Sequence, residues 1–240
     1  MLALSSRFTA LVLCGCLAAP LLAQADVGTQ GQAAANGTST QASQTDTEVA
    51  GAAWKAGLSA LVERFERVST ELPDDEQAKA LEDLAAEARV LSERYPNQAE
   101  PLVWQGIIYA SQARAESGLS ALGLAKEARA VLERAVALDP DGLRGSAYVT
   151  LGALYDRAPG WPLAFGDDAT AERMFQRAVA IRPQGIDVHF YYATFLQEEG
   201  RMDDARTHLE QAIKGQVRPA RAATDAALRE EASRRLAKLG

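Results

Sequence analysis

Residues 166–183 read GDDATAERMFQRAVAIRP, and residues 200–214 read GRMDDARTHLEQAIK. Laid over each other, Ala171, Phe175 and Ala178 fall on Ala205, Leu209 and Ala212, each 34 positions later (205 − 171, 209 − 175, 212 − 178). An upstream copy, Ala128, Leu132, Ala135 and Pro140, precedes Ala171, Phe175, Ala178 and Pro183 by 43 positions (171 − 128, 183 − 140). Small, large and small residues at steps of four and three lie on one face of a helix. A glycine stands five residues before each leading alanine: Gly123, Gly166 and Gly200. Self-similarity at this period is the mark of stacked repeats.

Each copy follows an earlier helical segment of matching pattern. Tyr148, Leu151, Gly152 and Tyr155 correspond to His189, Tyr192, Ala193 and Leu196, with Leu102, Gly106 and Tyr109 as a weaker version. The small positions let two helices approach while the large ones fill the gap. Pro96, Pro140 and Pro183 stop the second helices, because the residue before a proline is pushed out of the helical region. Asp167-Asp168 and Asp203-Asp204 open second helices, where carboxylates cap free N–H groups and meet the positive end of the dipole. Gly200 supplies a turn. The expected fold class is all-α, an α-solenoid of helical hairpins in which neighbours must stack to complete a core.

The totals agree. Apolar residues are 48% of 240, aromatics only 6%, and Ala and Leu, both strong helix formers, dominate. The net charge is −7, which disfavours nucleic acid or an anionic membrane surface as main partner. Residues 1–25 read as an export signal. Met1–Arg7 is a short basic start, Phe8–Leu22 an apolar run too short for the ~20 residues of a membrane span, and Ala23-Gln24-Ala25 a small-x-small cleavage pattern. Cleavage after Ala25 would leave no cysteine, since Cys14 and Cys16 are the only two. The competing reading is a lipoprotein signal, with Cys16 as a lipid anchor. These readings give a periplasmic protein, either free or lipid-anchored at the membrane surface.

The expected organisation is signal peptide at 1–25, disordered Gln/Ala/Thr/Ser-rich linker at 26–49, and a degenerate hairpin at 50–98. An array of three hairpins follows at 99–218, and a capping helix at 219–240 shields the last hairpin from water. Trp54, Leu58, Leu61 and Phe65 share one face of the degenerate hairpin, and Pro73 starts its second helix. The composition of Ala110–Leu122 predicts that the first array hairpin has lengthened helices.

The 34-residue pattern resembles the tetratricopeptide repeat (TPR). A closer likeness is carried by Gly145-Ser146-Ala147-Tyr148, Pro159-Gly160-Trp161-Pro162, Phe165-Gly166-Asp167-Asp168, Gly185-Ile186-Asp187 and Phe190-Tyr191-Tyr192. These segments resemble exported bacterial TPR proteins similar to the T-component of tripartite ATP-independent periplasmic (TRAP) transporters. The resemblance implies a non-enzymatic accessory protein, one that docks a periplasmic solute-binding subunit or holds a small apolar ligand.

Counting along the repeats places Val103, Ile107, Val149, Ala153, Asp156, Phe190, Thr194 and Gln197 on the concave groove where solenoids bind partners. Alternatively, these residues pack against the extra helices. The insertion at 157–166 carries Trp161, Leu163 and Phe165, and long loops are often functional. It either folds back and plugs the edge of the array or forms a lip over a ligand or partner site. His189 reads as core-facing and His208 as solvent-facing, with no spacing that supplies a third metal ligand or an acid–base partner. The acidic pairs Asp167-Asp168, Glu198-Glu199 and Asp203-Asp204 lack a calcium-loop pattern. No phosphate loop, nucleophile elbow or zinc-protease motif is present. No cofactor or metal is expected.

Overall fold

The computed structural model describes residues 37–239, with side chains from Ala53 onward. The expected signal peptide, its two cysteines and the linker up to residue 36 lie outside the described residues. Helix α1 spans Gly37–Glu71 and α2 spans Asp74–Arg94. Residues 37–49, expected as unstructured linker, are therefore helical. Extending a formed helix needs no new nucleus, so the packed turns beyond Trp54 can carry a polar, alanine-containing tail.

Three hairpins follow: α3 (Ala99–Ala115) with α4 (Gly118–Leu138), α5 (Ser146–Arg157) with α6 (Asp168–Ile181), and α7 (Ile186–Glu198) with α8 (Met202–Lys214). A 3-10 turn at Pro219–Arg221 leads into α9, Ala222–Leu239. Each hairpin packs on itself, and the first helices α3, α5 and α7 pack side by side. The first array hairpin is the longest, as its composition suggested.

The repeat spacing is explained by contact. A Cβ added at Gly106 would sit 2.4 Å from Leu132, and one added at Gly152 would sit 2.8 Å from Phe175. The glycines of first helices thus receive the large residues of second helices. The flanking alanines (Ala128, Ala135, Ala171, Ala178, Ala205 and Ala212) are fully buried. Tyr95, Asp139 and Arg182, each just before a proline, have left the helical region and close α2, α4 and α6. Asp167 caps α6 by accepting a 2.7 Å hydrogen bond from the Thr170 N–H. The Asp203-Asp204 pair makes no such cap. Asp204 instead pairs with Arg201 at 2.8 Å, and Gly200, at φ +74, makes the turn.

The array closes on itself. Helix α9 packs on α7 and α8, and also reaches α1. At that junction the Glu66 carboxylate accepts from the Thr224 N–H at 2.8 Å and from its hydroxyl at 2.6 Å. Arg221, wholly buried, lies against the rings of both Phe65 (4.9 Å) and Trp104 (5.4 Å), with Nε 3.0 Å from Glu66 Oε2. The last helix is therefore both a cap for α8 and a clasp onto α1.

Candidate functional site

The concave face is not open. Val103, Ile107, Val149, Ala153, Asp156, Phe190 and Thr194 are buried, and Gln197 is half-buried. The expected partner groove is occupied by the chain itself. Arg235 of α9 stacks on Phe190 at 5.1 Å and donates to Thr194 Oγ1 (3.1 Å) and Gln197 Oε1 (3.3 Å). Val103 and Ile107 belong to the same core cluster as Trp54, Leu58 and Phe65 of α1. Asp156 pairs with Arg157, which also bridges to Glu198 at 2.7 Å. Phe190, Thr194 and Gln197 therefore meet α9, and Val103 and Ile107 share a core with α1.

The loop between α5 and α6 is held from within. The Gly166 N–H donates to Pro159 O at 2.9 Å, and the Asp167 N–H to Tyr155 O at 3.0 Å. Gly166 is required here, because a Cβ would lie 1.9 Å from Ala158 O. Phe165 turns inward, edge-on to Tyr155 at 5.5 Å and under the Arg129 guanidinium at 4.4 Å. Trp161 and Leu163 point the other way, 90% and 71% exposed. The loop is therefore an ordered platform that plugs the edge through Phe165 alone and displays its other two large side chains.

Two further apolar residues stand at the neighbouring hairpin turns. Leu119, just after the α3–α4 turn, is 87% exposed, and Met202, just after the α7–α8 turn, is 47% exposed. Because α3, α5 and α7 run side by side, their ends and these three turns share one edge. The Arg157–Glu198 ion pair ties the ends of α5 and α7 directly. The sequence signal for this edge was an apolar residue next to each polar turn. Periodicity alone could not separate it from the buried stripe.

His189 and His208 are brought together. Their Nδ1 atoms lie 2.8 Å apart, and His189 Nε2 is 2.8 Å from Pro183 O. Donation from Nε2 to that carbonyl leaves His189 Nδ1 as acceptor for the Nδ1–H of His208. His208 is half-buried and stacked against His189, with Tyr192 also beside it. The expectation that it faces solvent is thus corrected, because hairpin register sets it opposite His189. Burial lowers both imidazoles, His208 to about 4 with a further contribution from His189. Among the described residues, no group of three or more His, Cys, Asp or Glu is placed to hold a metal ion.

A buried ionic network was not foreseen. Asp187, fully buried, pairs with Arg182 (2.7 Å) and Arg218 (3.2 Å), and Arg218 forks onto the equally buried Asp225. Burial pushes the Asp187 carboxyl up and the Arg218 guanidinium down from their ordinary ranges. These groups lie where the α6–α7 turn meets the segment after α8.

Comparison with known proteins supports the architecture. Residues 163–227 match the family model for the tetratricopeptide repeat. The crystal structure of TTC0263, a thermophilic TPR protein of Thermus thermophilus, superposes with a TM-score of 0.52 at 20% identity, covering 80% of this chain and 94% of that one. A crystal structure of MamA matches at a TM-score of 0.44 and 20% identity, over 67% of this chain and 87% of its own. No curated protein matches the sequence. The fold is a TPR-type α-solenoid. Among the described residues, no helix is long and apolar enough to cross a membrane.

Proposed function

We propose that this chain is a non-enzymatic docking scaffold of the bacterial periplasm that holds another protein against the edge formed by its hairpin turns. The observation that carries the reading is the exposed pair Trp161 and Leu163 on an internally bonded loop, flanked by Leu119 and Met202. Large apolar side chains displayed in water along one edge of an otherwise well-packed protein point to an interaction site, and tryptophan is enriched among interface anchors. Export rests on the N-terminal pattern ending at Ala23-Gln24-Ala25. The solute-binding subunit of an uptake system is the partner that the sequence resemblance implies. A small apolar ligand roofed by the 157–166 loop is less favoured, because Trp161 and Leu163 face solvent rather than an interior.

In-cell photocrosslinking tests this reading. The reactive residue is placed at Trp161 in one strain and at Phe190 in another. A discrete protein adduct from Trp161, with none from Phe190, supports docking at the turn edge. An adduct from Phe190 alone would move the site back to the concave face, and no adduct from either would remove the scaffold reading at both surfaces.

A further inference from the structure

The opposite edge of the array carries a second feature. The turn before α5, the turn between α6 and α7 and the segment after α8 meet around a cleft of about 210 Å³. The charged residues that line it are Arg144, Arg182 and Arg218, and the lining includes no carboxylate. Asp187 and Asp225 lie behind Arg182 and Arg218, fully buried. Arg182 and Arg218 are thus paired from behind, whereas Arg144 lines the same cleft with no carboxylate of the lining beside it.

The lining cation without an ion pair is Arg144. It is exposed and makes no hydrogen bond or ion pair among the described residues. Its backbone is in the left-handed region at φ +53, following Leu143 at φ +51. The Asp139 carboxylate holds that turn by accepting from the N–H groups of Asp141 (3.0 Å) and Leu143 (3.2 Å). A non-glycine residue kept in this conformation carries strain, which clusters where a side chain must be aimed.

We propose that this cleft binds a small organic carboxylate, with Arg144 as the group that engages it. A guanidinium presents a planar fork that matches a carboxylate in two parallel hydrogen bonds. Arg182 and Arg218 are held by Asp187 and Asp225 behind them, so the cation free to meet a ligand at the mouth is Arg144. Val217, 45% exposed, stands with Pro219 and Ala220 on the other side of the cleft. Those side chains form an apolar wall for the hydrocarbon part of the ligand.

The test is an amide NMR titration of the full chain at low salt with sodium butyrate, alongside sodium phosphate and sodium chloride. The proposal predicts saturable shifts at Gly185, Gln216 and Val217 with butyrate, beyond those caused by chloride. Arg144→Gln, at an exposed position, is expected to keep the wild-type melting temperature and to weaken butyrate binding about two- to fivefold, the size of an exposed ion pair. Shifts reproduced by sodium chloride, or affinity unchanged in Arg144→Gln, would overturn the site. Phosphate binding as tightly as butyrate would overturn the assignment to an organic carboxylate.

Discussion

Glu66 on α1 and Thr224 at the start of α9 are 158 residues apart in sequence, yet two hydrogen bonds of 2.8 and 2.6 Å join them. Together with Arg221, they turn an open stack of hairpins into a closed one. Arg221 is buried beside Phe65 and Trp104, and Glu66 is the foremost of the acidic groups that act on it, ahead of Asp225 and Asp187. Removing one member of a buried pair costs about 3–5 kcal/mol, and the charges of Asp225 and Asp187 put this case at the low end. Glu66→Ala is therefore expected to lower stability by about 3 kcal/mol in urea unfolding. Glu87→Ala, which removes a surface pair with Arg64, should cost no more than about 1 kcal/mol. Equal effects of the two changes would show that the clasp contributes nothing special.

The glycine contacts make a second prediction. Gly152→Ala would improve helix propensity by about 1 kcal/mol, but its methyl group would meet the Phe175 ring at 2.8 Å. Overpacking of this kind costs about 1–3 kcal/mol, so a net loss of stability is expected. Phe175→Leu in the same chain should recover part of it. Gly123→Ala is the control, since a Cβ there meets nothing within 4 Å, and this helix-interior change should stabilise the protein.

The histidine pair predicts a pH dependence. His208 is lowered from 6.5 to about 4 in the folded chain, first by burial and then by His189, while Asp204 opposes that shift and Arg201 adds to it. His189 is lowered by burial, against the pull of Pro183 O and Asp187. A depressed histidine favours the folded state in its neutral form. The stabilisation is complete above the unfolded pKa near 6.5 and is lost as pH falls from there toward 4. Melting temperatures measured from about pH 7.5 to about pH 4.5, a range that brackets most of this titration, should fall more steeply for the wild type than for His208→Gln. Parallel curves would remove the pair as the cause.

Much of the solenoid is legible in the sequence. Ala171-Phe175-Ala178 and its copies located the second helices, the prolines their ends, and Gly200 a turn. Those signals are local, because helix periodicity and proline geometry act within a few residues. The closure was not readable. Arg221 and Glu66 look like ordinary charges on polar helix faces, and only tertiary packing shows that Arg221 is buried while α9 covers Phe190 and Thr194. The same limit explains His208. It lies nine residues after Glu199 and His189 ten before it (208 − 199, 199 − 189), so symmetry about the turn was the signal that could have paired them. For the candidate site, the insertion is legible as a loop, but its sequence does not reveal that Phe165 turns inward while Trp161 and Leu163 turn out.

That division of roles is itself testable. Trp161→Ala with Leu163→Ala removes two exposed side chains, so stability should change by no more than about 0.5 kcal/mol. Binding of a hydrophobic dye to the folded protein should fall. Phe165→Ala, which deletes the ring packed on Tyr155 and Arg129, should instead lower the melting temperature measurably. A large stability loss from the double change would mean that the two exposed residues are structural.

The central claim is that α9 closes the array and occupies the concave face, leaving docking to the turn edge. Hydrogen exchange on the intact protein, resolved by peptide and compared with Glu66→Ala, addresses it most directly. The closed structure predicts that Thr224–Leu228 of α9 and Phe190–Leu196 of α7 are protected together in the wild type, and that both segments exchange faster once Glu66 is removed. Wild-type α9 exchanging as fast as an unprotected peptide, while α7 remains protected, would contradict the closure and return the concave face to partners.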